Sequence, residues 1–150
     1  MFRMSYALVL LSLLLAAPSA VAADAQQMDA NKKTVLDFYD KAINQKNFDA
    51  AKVHLGSTYI QHNPRAADGP EGLKGFIGFL KEKFPNYHST FKRVLADGDF
   101  VIVHVHNVPN PGERGRAIID IFRLENGKIV EHWDVAQDIP EKAANGNTMF

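Results

Sequence analysis

Apolar positions fall at helical spacing in the first part of the chain and at alternating spacing in the second. Over residues 31–45, Val35, Phe38 and Ala42 recur beside Leu36, Tyr39 and Ile43, the spacing of an amphipathic helix that Asn31 would cap. A short second helix is predicted over 47–55, ending at Gly56 as a left-handed C-terminal residue. Residues 58–62 read as a short strand that Asn63-Pro64 breaks. Asp68-Gly69-Pro70-Glu71 has the signs of a helix start: a capping acid, an early proline and a further acid. Leu73, Phe76, Ile77, Leu80 and Phe84 would form the buried stripe of that helix, and Pro85 stops it.

Beyond Pro85 the period changes from 3.6 to 2. Residues 88–96 and 100–108 read as strands joined at Asp97-Gly98-Asp99, and 109–115 as a turn-rich loop. Residues 117–124 and 128–137 then form a hairpin around Glu125-Asn126-Gly127. Helices first and an antiparallel sheet afterwards predict an α+β fold, with helices packed on one face of a curved sheet. The tail is polar until Met149-Phe150, whose apolar end should dock on the body.

The first 22 residues change the domain count. Met1-Phe2-Arg3 provides a positive start, 6–17 an apolar run, and Ala20-Val21-Ala22 a small-residue cleavage pattern, so 1–22 reads as a secretory signal peptide cut after Ala22. The apolar run is shorter than the roughly 20 residues that span a bilayer, so no membrane span is expected after cleavage. Residues 23–150 suffice for one domain, and the leader predicts a periplasmic or secreted protein. Seventeen basic residues against 17 acidic ones, scattered along the chain, leave no electrostatic footprint for nucleic acid. The chain has no cysteine, which excludes thiol chemistry, disulfides and cysteine-ligated metals. Small molecules and protein partners remain.

The candidate chemistry is carried by His104, His106, Asp120, His132 and Asp134, all on predicted strands. Residues two apart on a strand share a face, so His104 groups with His106, and His132 with Asp134. How Asp120 meets them depends on the hairpin. A two-residue loop pairs Glu125 with Lys128 and sets Asp120 opposite Trp133. A three-residue loop with Gly127 as a bulge pairs Leu124 with Lys128 and sets Asp120 opposite His132. We favour the three-residue loop. It gathers Ile118, Asp120, Phe122, Val130, His132 and Asp134 on one face, leaving Ile119, Ile121, Ile129 and Trp133 as an apolar opposite face suited to a homodimer. An aspartate beside a histidine is a general acid–base unit, or alternatively a hydrogen-bonded pair that braces the sheet. Two imidazoles and a carboxylate from His104, His106 and Asp120 also suit a metal by type, but their spacing is not specific and no metal is expected.

Several segments resemble SnoaL-like proteins of the nuclear-transport-factor-2-like superfamily. They are Tyr59-Ile60-Gln61-His62-Asn63-Pro64, Gly72-Leu73-Lys74-Gly75-Phe76, Val103-His104-Val105-His106, Ile119-Asp120-Ile121-Phe122-Arg123-Leu124 and Asn126-Gly127-Lys128-Ile129-Val130-Glu131-His132-Trp133-Asp134-Val135. The resemblance implies a cone-shaped α+β barrel, usually dimeric, with a deep pocket between curved sheet and helices. It implies that Asp120 is the acid–base of an intramolecular aldol closure, assisted by His106, and that His62 lines the pocket. Such chemistry needs no metal or organic cofactor: a base takes a proton alpha to a carbonyl and donors stabilise the enolate. Limonene epoxide hydrolase shares the superfamily fold, and its final aspartate matches Asp134. His104 and His106 replace the arginine and first aspartate of its triad, which argues against epoxide hydrolysis. Ketosteroid isomerase is a more distant relative whose acid and base find no match here.

The sequence therefore predicts an exported, cofactor-free enzyme for aldol-type cyclisation or isomerisation of a small, largely apolar carbonyl compound. Asp120 is its expected base, with His106 and His132 orienting it or donating to the oxyanion. His62, His104, Phe122 and Asp134 are the expected substrate-binding lining. The alternatives are a non-catalytic periplasmic protein that binds a small hydrophobic ligand, and an adaptor that docks another protein on its outer face.

Overall fold

The computed structural model describes residues 20–150. The predicted leader lies largely outside them, and its last residues, from Ala20, lie in a helix. That helix, α1, runs from Ala20 to Tyr39 and continues as a π-helical turn over Asp40–Asn44. Within the described residues it already runs for eleven residues ahead of the predicted cap. Asn31 is buried inside it, 1 % exposed, where its amide accepts from Gln27 and donates to the Gly98 carbonyl in the turn between Asp97 and Phe100. An alanine-rich stretch with high helix propensity precedes Asn31, so nothing there stops the helix.

Asn47 caps a single turn, α2 (Phe48–Ala51), by accepting from the Ala50 amide, and a 3₁₀ turn follows over Lys52–His54. Strand β1 then covers Leu55–Gln61. Gly56 thus lies within a strand rather than closing a helix. It is glycine for a packing reason: a Cβ there would stand 2.6 Å from Cγ1 of Val130 on the neighbouring strand. Helix α3 spans Gly69–Lys83 with Pro70 in its first turn. Asp68 sits at the N-cap, yet its carboxylate accepts from the backbone amide of Gln61 instead of the helix, tying the connecting loop back to the end of β1. Leu73, Ile77 and Leu80 bury against the sheet, while Phe76 and Phe79 stay about half exposed.

The remaining strands are β2 (His88–Asp97), β3 (Phe100–Val108), β4 (Arg116–Glu125) and β5 (Lys128–Asp138). They form one five-stranded mixed sheet in the order β1-β5-β4-β3-β2, in which only the β1–β5 pair is parallel. The helices pack on its concave face. Val101, Val103 and Val105 are wholly buried there, each contributing roughly 1.5–3 kcal/mol of transfer free energy. No described helix is long and apolar enough to cross a membrane.

The hairpin adopts neither predicted register. Asn126 and Gly127 form a two-residue turn with φ of 51° and 72°, the left-handed pair that a primed turn requires. It pairs Glu125 with Lys128 and Leu124 with Ile129. Continued along the ladder, this register would set Asp120 opposite Trp133 and turn His132 and Asp134 to the other face. One bulged residue, Val130, then intervenes, and beyond it Phe122 pairs with His132, Ile121 with Trp133 and Asp120 with Asp134. The bulge brings His132 and Asp134 onto the inward face that Ile118, Asp120 and Phe122 share with Leu124. The two-residue turn itself sets Ile129, expected outside, opposite Leu124 in the core.

Candidate active site

A cavity of about 680 Å³ lies between α1, α3 and the concave face of the sheet. Phe38, Leu73, Phe76, Phe84 and Phe122 supply apolar wall, and Arg65, Glu113 and Arg116 charge its rim. Its polar groups converge on the middle of β4 and β5. Asp120 is 4 % exposed and His132 8 %, and His132 Nε2 lies 3.1 Å from Asp120 Oδ1. The imidazole is clamped from two sides. Phe122 stacks on it at 4.6 Å, and its Nδ1 lies 3.1 Å from Oε1 of Gln61, its partner across the β1–β5 ladder. Asp134, opposite Asp120, accepts from Asn63 Nδ2 at both oxygens, at 2.9 and 2.7 Å.

Burial raises the Asp120 carboxyl above its ordinary value of 3.8. The hydrogen bond and charge of His132 pull it back, whereas the charge of Asp134 adds to the rise. The Tyr39 hydroxyl also favours the charged form, yet Oδ2 of Asp120 is buried without a partner of hydrogen-bonding geometry among the described residues. Such an atom costs about 1–3 kcal/mol, which a partner brought to it would relieve. Burial likewise raises three phenols that line the cavity, Tyr39, Tyr59 and Tyr87, the last to about 12. All three remain protonated near neutral pH and can donate.

The sequence-predicted residues divide into two groups. Asp120, His132, Phe122 and Asp134 line this one cavity. His106, His104 and His62 do not. On β3 the odd positions Val101, Val103, Val105 and Asn107 are buried, so the even ones face outward, since a strand cannot turn both sets to the core. His106 Nε2 donates to the Arg114 carbonyl at 2.8 Å, and His104 Nδ1 accepts from Arg93 at 2.9 Å. Phe150 packs over both rings at 4.7 and 5.3 Å, so the apolar tail docks on the outer face. His62 lies on that side too, stacked on Trp133 at 4.6 Å and paired with Glu131 at 2.8 Å. The expected roles of His106 in catalysis and of His104 and His62 in substrate binding are corrected accordingly.

Tyr59 and Gln61 alternate with His62, so the implied place of His62 in the pocket would put them outside it. They are in it, and His62 is out. The two-residue spacing of Leu55, Tyr59 and Gln61 held the signal: the face that carries a core leucine and a tyrosine is the inner one. Asn63 and Tyr39 carried no comparable signal, since a loop and a helix bring them in.

Asp120, His132 and Asp134 could also hold a cation by composition, their potential ligand atoms lying within 4.8 Å of one another. Those atoms are already engaged, His132 Nε2 with Asp120 and both oxygens of Asp134 with Asn63. The arrangement is a hydrogen-bonded cluster at the wall of a largely apolar chamber.

Fold and chamber together define a helix-backed curved-sheet protein of the nuclear-transport-factor-2-like class. The chain belongs to the SnoaL-like polyketide cyclase family, whose profile matches residues 33–144. No curated protein matches it in sequence. Among solved structures it is similar to TsrD from Streptomyces laurentii, with 20 % identity, a TM-score of 0.60, and 71 % of this chain and 88 % of that one covered. A putative polyketide cyclase from Bacillus cereus gives 22 % identity, a TM-score of 0.62, and coverage of 71 % and 74 %. An epoxide hydrolase of the LEH-like type from M. tuberculosis gives 16 % identity, a TM-score of 0.62, and coverage of 74 % and 85 %. At such identities the likeness is one of fold.

Proposed function

We propose that this protein is a cofactor-free acid–base enzyme that enolises a small, largely apolar carbonyl compound, for aldol-type cyclisation or isomerisation. The observation that carries this reading is the buried carboxylate of Asp120, with one oxygen held by His132 and the other unpartnered at the wall of an apolar chamber. Oδ2 takes a proton from the carbon alpha to the substrate carbonyl. The C–H bond breaks, an O–H bond forms on Asp120, and the electron pair moves onto the carbonyl oxygen. A protonated phenol such as Tyr59 or Tyr87 donates to that oxyanion. In a cyclisation the enolate carbon attacks a second carbonyl of the same molecule and the new alkoxide takes the proton back from Asp120. In an isomerisation the proton returns to a different carbon. Asp134 is held opposite Asp120 by Asn63, and its charge makes the Asp120 proton easier to hold.

The leader-like segment 1–22 supports export to the periplasm or beyond. Exposed Leu95, Phe100 and Val135 on the sheet support a homodimer through the outer face. The test is conversion of a panel of apolar diketones and β,γ-unsaturated ketones, followed by ultraviolet absorbance and mass spectrometry. The wild type converts at least one member and Asp120→Asn converts none while remaining folded. Tight binding of panel members without conversion by the wild type would instead identify a ligand-binding protein.

A further inference from the structure

Among the described residues, Gln61 is the one side chain that touches His132 on the ring nitrogen away from Asp120, and its own orientation is settled by the backbone. The Asn63 amide N–H lies 2.9 Å from Oε1 of Gln61. A backbone N–H can only donate, so the atom facing it is the oxygen, and rotating the amide would set two donors against each other. The amide nitrogen then points to the Tyr59 hydroxyl at 3.3 Å, which can accept. That same Oε1 lies 3.1 Å from Nδ1 of His132, so Nδ1 must carry a hydrogen to make the contact. On the other side, Nε2 faces a carboxylate oxygen at 3.1 Å. That contact needs one proton, on either the nitrogen or the oxygen.

We propose that Gln61 is a positioning residue that holds His132 with Nδ1 protonated, so that a single proton is shared between His132 Nε2 and Asp120 Oδ1. With the proton on oxygen, the pair is a neutral acid and a neutral imidazole. With it on nitrogen, the pair is a carboxylate and an imidazolium, and Oδ2 is a base. Moving one proton across one hydrogen bond therefore switches the basicity of Oδ2 on or off without any side chain turning. Without Gln61, the imidazole is free to place its lone proton on Nε2 and donate it to the carboxylate, and the switch is lost. The site for this device is built rigidly. Gln61 and His132 are partners in the β1–β5 ladder, the Gln61 backbone N–H donates to Asp68, and Phe122 stacks on the imidazole. The catalytic consequence rests on the enzymatic reading above; the assignment of the proton does not.

The experiment is long-range ¹H–¹⁵N correlation NMR of the full chain labelled in histidine, between about pH 5 and 8. The wild type should show Nδ1 of His132 protonated throughout. Gln61→Glu, which keeps an acceptor in place, should show the same tautomer. Gln61→Leu should move the proton of the neutral ring to Nε2 and lower α-proton exchange by about 10²-fold or more, as bases in the wrong tautomer do. A wild-type His132 with bare Nδ1 overturns the proposal, as does a Gln61→Leu variant that retains the Nδ1–H tautomer. A wild type that shows the assigned tautomer but exchanges no substrate proton upholds the assignment and overturns only the enzymatic reading.

Discussion

Replacing Asp120 by asparagine should make the protein more stable at alkaline pH while removing its chemistry. The side chain is 4 % exposed and one oxygen has no partner, so the charged form bears a desolvation penalty that the His132 hydrogen bond only partly offsets. Asparagine has the same shape. Its amide can donate to His132 Nε2 just as the protonated acid does, because Gln61 already holds the proton on Nδ1. An orphaned buried polar atom costs about 1–3 kcal/mol, and the neutral amide oxygen retains part of that cost, so the expected gain is about 1 kcal/mol. For a domain of this size that is a rise of about 3–5 °C in Tm. The pH dependence has a definite sign. The folded carboxyl binds its proton more tightly than the unfolded one at 3.8, so the stability it confers is present below that value. That stability is lost as pH rises through the raised folded value, and the advantage of the Asp120→Asn variant should appear over the same interval and vanish in acid. Urea unfolding, followed by the fluorescence of Trp133, the single tryptophan, measures this at each pH. If the pair merely braces the sheet, the substitution should instead cost about 3–5 kcal/mol, as removing one member of a buried ion pair does. That result would refute the reasoning.

Other substitutions test the placement of single residues. His106→Phe should leave α-proton exchange within about twofold of wild type, because His106 faces outward beneath Phe150; a loss of 10²-fold, the lower range for a general acid–base, would put it back in the site. Phe122→Ala should lose about 3–5 kcal/mol in urea unfolding, since the ring is 1 % exposed and contacts Phe38 edge-on as well as His132. Gly115→Ala should lose about 2–4 kcal/mol by the same measurement, because φ is +75° and a Cβ would stand 2.0 Å from the Asn107 carbonyl.

Much of this architecture is legible in the residues. The change of period after Pro85 located the β half, and the Asn-Gly turn located the hairpin, because both are local signals. The inward set on β4 and β5 was also readable, but for an incomplete reason: parity along the strands needed one extra residue near the turn, and Val130 supplies it as a bulge rather than Gly127. Nothing local marks Val130. Its placement depends on Gly56 across the ladder, which leaves room for its side chain. On β3 the histidines suggested chemistry by residue type, yet the valines between them compete for the same core and win it by hydrophobicity. Asn31 shows the same limit from the other side. A polar residue that looks like a helix cap is buried because a turn 67 residues further along the chain offers it a carbonyl.

The central claim is that the free oxygen of Asp120 removes a proton from carbon, and deuterium exchange tests it without knowledge of the product. Small apolar ketones are incubated with the protein in D₂O, and loss of the α-proton signals is followed by NMR. The account predicts exchange by the wild type that falls by about 10²–10⁴-fold in Asp120→Asn, with that variant folded and at least as stable at alkaline pH. Exchange that persists unchanged in the variant would contradict it.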